Sequence, residues 1–136
     1  FITILFPGEK LGIAGDLYLP DKTKIDRLDV QVKPGRFEPF DQRPEFTTEN
    51  VAYVPDDYFP KVTGIVKSPY QKDLENIRVA AIAYDEAGNI IGGGFTYLDF
   101  VPANGQAAVE VSITTIGVPA TVELYPTISG LTLLGD

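Results

Sequence analysis

The first nineteen residues of this 136-residue chain read like a second copy of residues 95–113, near its other end. At a constant offset of 94, Phe1 pairs with Phe95, Phe6 with Phe100, Leu17 with Val111 and Leu19 with Ile113. After a two-residue deletion the likeness resumes at an offset of 92, with Val30 opposite Val122, Val32 opposite Leu124 and Pro34 opposite Pro126. A spacing of this size is the length of one small β-sandwich, about 100 residues. Only the second copy is preceded by enough chain to make a whole domain. The sequence therefore reads as one complete unit behind the C-terminal part of another, and two full sandwiches would not fit in 136 residues.

The side-chain pattern supports strands throughout. Period-two alternation and short β-branched runs recur, and no window of eleven or more residues keeps the i, i+3, i+4 stripe of a helix. In the first part, Ile13, Gly15, Leu17 and Leu19 alternate with Asp16, and Leu28, Val30 and Val32 alternate with Asp29, Gln31 and Lys33. These are expected to be half-buried antiparallel strands. From Pro34 onward the composition shifts to Pro, Phe, Asp and Glu, and the prolines favour an extended linker over a central strand. The expected organisation is a partial unit over residues 1–33, a linker over 34–45 and a complete sandwich over 46–136.

Within the complete unit, strands are expected at Phe46–Val54, Val62–Lys67, Ile77–Tyr84, Ile90–Leu98, Ala107–Ile113 and Thr121–Tyr125. Ile77–Tyr84 is apolar on both faces except at Arg78, as a central strand covered from two sides should be. Asp85-Glu86-Ala87-Gly88-Asn89 has hairpin-turn chemistry, with Gly88 and Asn89 suited to positive φ. Gly92-Gly93-Gly94 should bend or bulge the return strand, or allow a close sheet contact.

Composition narrows the chemistry. The chain carries eleven Lys and Arg against nineteen Asp and Glu, a formal charge of −8. The basic residues form no run, which disfavours a nucleic-acid partner and anionic membranes. Absence of Cys removes thiolate nucleophiles, disulfides and Cys-zinc sites, and absence of His removes the usual proton shuttle near neutral pH. No apolar run approaches the ~20 residues needed to span a bilayer, so no direct membrane insertion is expected. A chain that opens on Phe1 rather than Met is expected to have been processed or to continue upstream, where a secretion signal would lie.

Ser68, Ser112 and Ser129 are the serines available as nucleophiles, and none has an elbow motif. Asp56-Asp57 and Asp85-Glu86 are the acid pairs a glycosidase-like mechanism would have to use, but both fall in turns, where solvated acids are ordinary. Asp85, Glu86 and Asn89 could offer oxygens to calcium, without EF-hand spacing; a hairpin turn is the simpler reading. The glycine triplet lacks the residues and context of a phosphate loop. No catalytic, cofactor-binding or metal-binding residue is assigned, and no cofactor. The aromatic residues Phe37, Phe40, Phe46, Tyr53, Tyr58, Phe59 and Tyr70 cluster on and beside the linker. They are expected to pack the two units together, the alternative being a recognition platform for carbohydrate.

The order Val62-Thr63-Gly64-Ile65-Val66-Lys67-Ser68, Leu74-Glu75-Asn76-Ile77-Arg78-Val79 and Tyr84-Asp85-Glu86-Ala87-Gly88-Asn89-Ile90-Ile91 resembles the FxLYD family over about residues 46–129. The name-giving motif maps onto Ala81-Ile82-Ala83-Tyr84-Asp85, with Tyr84 and Asp85 matching it. The resemblance implies an immunoglobulin-like β-sandwich of a prokaryotic secreted or surface protein, of a kind often found in tandem. The fold class expected is accordingly all-β, an immunoglobulin-like antiparallel sandwich preceded by a three-strand half-unit.

A half-unit leaves an inner face and a sheet edge uncovered, which invites pairing with another chain. Upstream strands, packing onto the second domain, or strand addition by a neighbouring subunit would each complete it. The last would make a filament, since a head-to-tail contact that does not close propagates. The expected function is a non-catalytic extracellular or cell-surface structural and assembly module, with self-association or tandem domains as partners. The alternative is a glycan or cell-wall binding module using aromatics of the 37–59 segment, and a weaker one an acid-pair hydrolase.

Overall fold

The structure is a computed structural model and describes residues 5–33, 35–36, 45–129 and 132. Among these residues, seven strands form two antiparallel sheets. In the first, β1 (Thr47–Val54) pairs with β2 (Lys61–Lys67) and β2 with β5 (Gln106–Ser112). In the second, β3 (Leu74–Tyr84) lies between β4 (Ile90–Val101) and β7 (Thr121–Thr127), and the two-residue β6 (Thr114–Thr115) extends the β4 edge. The first, second and fifth strands share one sheet and the third and seventh the other, the interleaving of an immunoglobulin-like sandwich.

Alternation places the core between the sheets. Val62 and Val66 of β2 and Val109 and Val111 of β5 turn inward, while Glu110 and Ser112 stay wet. They meet Ile77, Val79, Ala81 and Ala83 of β3 and Leu124 of β7. The layers come close at Gly64, where a Cβ would lie 2.6 Å from Leu124 Cδ1. Burying each Val or Ile of this set contributes about 1.5–3 kcal/mol.

Turn chemistry closes the hairpins as the sequence suggests. Asp85 accepts hydrogen bonds from the amides of Ala87 (2.9 Å) and Asn89 (2.8 Å), and Gly88 takes φ +81°. Asn89 does not take positive φ; its side chain instead donates to Asp85 at 2.9 Å. Asp56 organises the β1–β2 connection by accepting from the amides of Tyr58 (2.9 Å) and Phe59 (2.8 Å). The glycine triplet allows close backbone approach, between the sheets at Gly94 and within the second sheet at Gly92. A Cβ on Gly94 would stand 2.0 Å from the Ser112 carbonyl oxygen and one on Gly92 2.3 Å from that of Thr114, where the chain crosses from β5 to β6. The β3–β4 register also shifts nearby, between Ala83 and Tyr84.

Residues 5–33 depart from the sequence expectation. They contain no strand, and every residue from Gly15 to Lys33 is exposed. Alternation makes a segment able to pair, but a strand forms only beside a partner whose amides it bonds, and exposed amides are otherwise satisfied by water. Of the linker expected over 34–45, residues 34 and 37–44 lie outside the described residues, and so do Phe37 and Phe40.

Candidate functional site

The two outer faces of the sandwich differ in character. On the β1–β2–β5 sheet, Lys61 bonds Glu110 at 2.8 Å and Lys67 bonds Glu49 at 2.6 Å, which makes a solvated, charged surface. On the other sheet the outward side chains of β3 are Arg78, Ala80, Ile82 and Tyr84, joined by Phe95 and Tyr97 of β4 and Tyr125 of β7. That face is largely apolar and aromatic, and the chain's own N-terminal segment crosses it.

The crossing segment is Glu9–Ala14. Gly12 packs so closely on the sheet that a Cβ would stand 2.4 Å from the Tyr125 ring and 2.7 Å from Ile82 Cγ1. Only a residue without a side chain permits that approach. Ala14 joins the cluster of Ala80, Ile82 and Tyr125. Its carbonyl oxygen accepts a 2.5 Å hydrogen bond from Arg78 Nη2, and the guanidinium carbon lies 4.3 Å from the centre of the Phe95 ring. Arg78 is 5% exposed. The sequence pattern marked it as the one polar residue of a central strand; its role as the anchor of a distant segment was not legible there.

At the other end of the strap, Lys10 Nζ lies 3.0 Å from Glu123 Oε2 and under 6 Å from two rings, 5.6 Å to Tyr84 and 5.7 Å to Tyr125. The Tyr84 and Tyr125 hydroxyls are 3.0 Å apart, and Tyr125 also donates to Glu123. Hydrogen bonds from Tyr125 first and Lys10 second hold the Glu123 carboxyl below its ordinary 4.5. Hydrogen bonds to Tyr125 and Glu123 raise the Lys10 ammonium above its ordinary 10.5. Burial, followed by the bond to Glu123, raises the Tyr125 phenol. This cluster binds strap to sheet.

The other sequence candidates are dispersed. Asp56 and Asp85 are committed to their turns, and hydrogen bonds hold both carboxyls below the ordinary range, from the Tyr58 amide foremost for Asp56 and the Asn89 side chain foremost for Asp85. Clefts beside Thr63, beside Ser68 and beside Lys10 are lined by none of Asp56, Asp57, Asp85 and Glu86. Among the described residues no group of three or more acids could hold a metal ion, and no helix is long and apolar enough to cross a membrane. Ser68 and Ser129 are buried, with Ser129 Oγ donating to the Asn76 carbonyl at 3.0 Å.

The described members of the aromatic group do not form one surface. Phe46, Tyr53 and Tyr70 pack against the complete unit's own core, with the Phe46 and Tyr70 rings 5.3 Å apart. They therefore stabilise a single sandwich and do not join two. Tyr58 and Phe59, 84% and 74% exposed, stand out together from the β1–β2 connection.

No family model matches the chain, and no curated protein matches it. A crystal structure, at 1.81 Å, of a DUF1425 family member from Shewanella sp. pv-4 is similar with a TM-score of 0.44 and 18% identity, over 63% of this chain and 78% of that one.

Proposed function

We propose that this chain is a non-catalytic structural module of an extracellular or cell-surface protein, in which the complete sandwich is a rigid support and residues 5–33 are an assembly element. The observation that carries this reading is the exposure of an alternating apolar pattern tied firmly to a folded domain. Leu17, Val30 and Val32 are 72%, 78% and 82% exposed, yet the same segment is anchored through Gly12, Ala14 and Lys10. Exposed apolar stretches of this extent on an otherwise charged protein mark interaction surfaces. The resemblance to the FxLYD family, with its secreted tandem modules, supports the location. The emptiness of the remaining chemistry supports a role in architecture.

The test is amide exchange of residues 15–33 in the purified chain and in the surface fraction of its source cells, with antibody labelling of intact cells for location. The reading expects fast exchange in the purified chain and protection on the surface. Equal exchange in both, or no labelling of intact cells, removes it.

A second reading rests on Tyr58 and Phe59, whose adjacent exposed rings have the character of a carbohydrate platform. Retention on immobilised cell-wall glycan that is lost in Tyr58→Ala/Phe59→Ala would support it, and absence of retention by the unaltered chain would remove it.

A further inference from the structure

We infer that one end of the sandwich, where the β1–β2, β3–β4 and β5–β7 connections meet, is a docking surface for a polypeptide whose apolar side chains are flanked by Lys and Arg. The inference goes beyond the assembly reading above and makes no use of residues 5–33. Antiparallel pairing brings the three connections together, since Val54 lies opposite Lys61, Lys61 opposite Ser112, and Tyr84 opposite both Ile90 and Thr121. Backbone hydrogen bonds then join one to the next. The Ile113 amide donates to the Pro60 carbonyl at 2.9 Å, that of Ile116 to Ile91 at 3.1 Å, and that of Ala120 to Tyr84 at 2.8 Å. The chain enters β1 at Thr47 and leaves β7 at Thr127, both toward the opposite end, so neither connection to the flanking chain obstructs this one.

Each connection holds large apolar side chains out in water. Tyr58 and Phe59 project from the first, Ile90 from the start of β4 at 68% exposure, and Ile116 and Val118 from the third at 88% and 81%. A cluster of this kind on three adjoining connections marks an interaction surface. The backbone that carries it is braced. Asp56 and Asp85 fix the first two turns through their amide bonds, and Thr115 Oγ1 donates to the Gly117 carbonyl at 2.9 Å between Ile116 and Val118. Side chains already held in place lose little entropy when covered, which is the condition for a few of them to carry most of a binding energy.

Charge selects the occupant. Residues 55–60, 85–89 and 113–120 contain Asp56, Asp57, Asp85 and Glu86 and no Lys or Arg. The nearest cation in sequence, Lys61, is bonded to Glu110. A second copy docked end to end would set the same four carboxylates against each other, and an anionic bilayer would repel them. A glycan engages rings, and three of the five exposed side chains are aliphatic. A polypeptide with an apolar centre and a basic rim covers all five and pairs the carboxylates around them.

The test titrates the full chain with a synthetic peptide of Leu and Lys and with its counterpart of Leu and Glu, following the methyl resonances of Ile90, Ile116 and Val118. The Leu/Lys peptide is expected to shift these methyls and to bind at least about tenfold more tightly than the Leu/Glu peptide. Added salt should narrow the difference. Asp57→Lys with Glu86→Lys, both at exposed positions, should reverse the preference between the two peptides while the buried methyls of Val62 and Ile77 keep their resonances. Ile116→Ser with Val118→Ser should weaken both peptides alike. Absence of shifts with the Leu/Lys peptide, or equal affinity for the two, overturns the inference. Phosphatidylcholine vesicles that shift the same methyls as strongly as the Leu/Lys peptide would make a bilayer the occupant and overturn it as well.

Discussion

Arg78 shows how much one side chain settles in this molecule. On a central strand its guanidinium would be costly to bury alone; here a carbonyl from 64 residues earlier in the chain and the face of Phe95 receive it. Arg78→Leu keeps the volume and removes the anchor, so strap docking should weaken by about 2 kcal/mol, the value of a hydrogen bond to a charged group. Faster trypsin cleavage after Lys10, with the sandwich still folded, would show it. Gly94 is critical for a different reason, since any Cβ must displace the Ser112 backbone. Gly94→Ala is expected to cost about 3 kcal/mol or to prevent folding, read by denaturant titration.

The strap as an element has its own pH dependence. Glu123 titrates below its ordinary 4.5 in the folded chain, so its contribution is complete above that pH and is lost as the pH falls through the lowered value. Lys10 titrates above its ordinary 10.5, so its contribution is complete below that pH and is lost on further rise. Strap contacts should therefore hold across the neutral range and loosen below about pH 4.5. Tyrosine fluorescence of Tyr84 and Tyr125 and exchange at residues 9–14 would follow the change; a strap that loosens between pH 6 and 9 would contradict the ion-pair account. Gly12→Val should detach the same element at neutral pH, because the sheet leaves no space for a side chain there.

At the scale of the whole molecule, apolar residues of similar size have opposite worth in the two parts. Ile77 is fully buried, and Ile77→Ala should cost about 2–5 kcal/mol. Leu17→Asp and Val32→Asp, at positions exposed in this chain, should each change its stability by no more than about 0.5 kcal/mol. Thermal unfolding of the three variants checks the contrast. A large loss from Leu17→Asp in the isolated chain would mean that the N-terminal part is packed in solution.

Much of the sandwich was legible in the sequence. The six longer strands lie within a few residues of where alternation and turn chemistry place them, because period two and the Asp85–Gly88 and Pro102–Gly105 turns are local properties. Two-sided burial of β3 was legible from Ile77–Tyr84, although what covers its outer face was not. Only the tertiary structure showed that Glu9–Ala14 lies there, since Gly12 against Tyr125 and Ala14 against Arg78 are contacts between distant residues with no periodic signature. The alternation of residues 13–32, by contrast, reads as strand-forming in the sequence, and the described residues 5–33 contain no strand. The structure alone decided that these strands stay unformed here. Pairing is a property of neighbours in a sheet, and the alternation of a segment carries no information about which neighbour it meets.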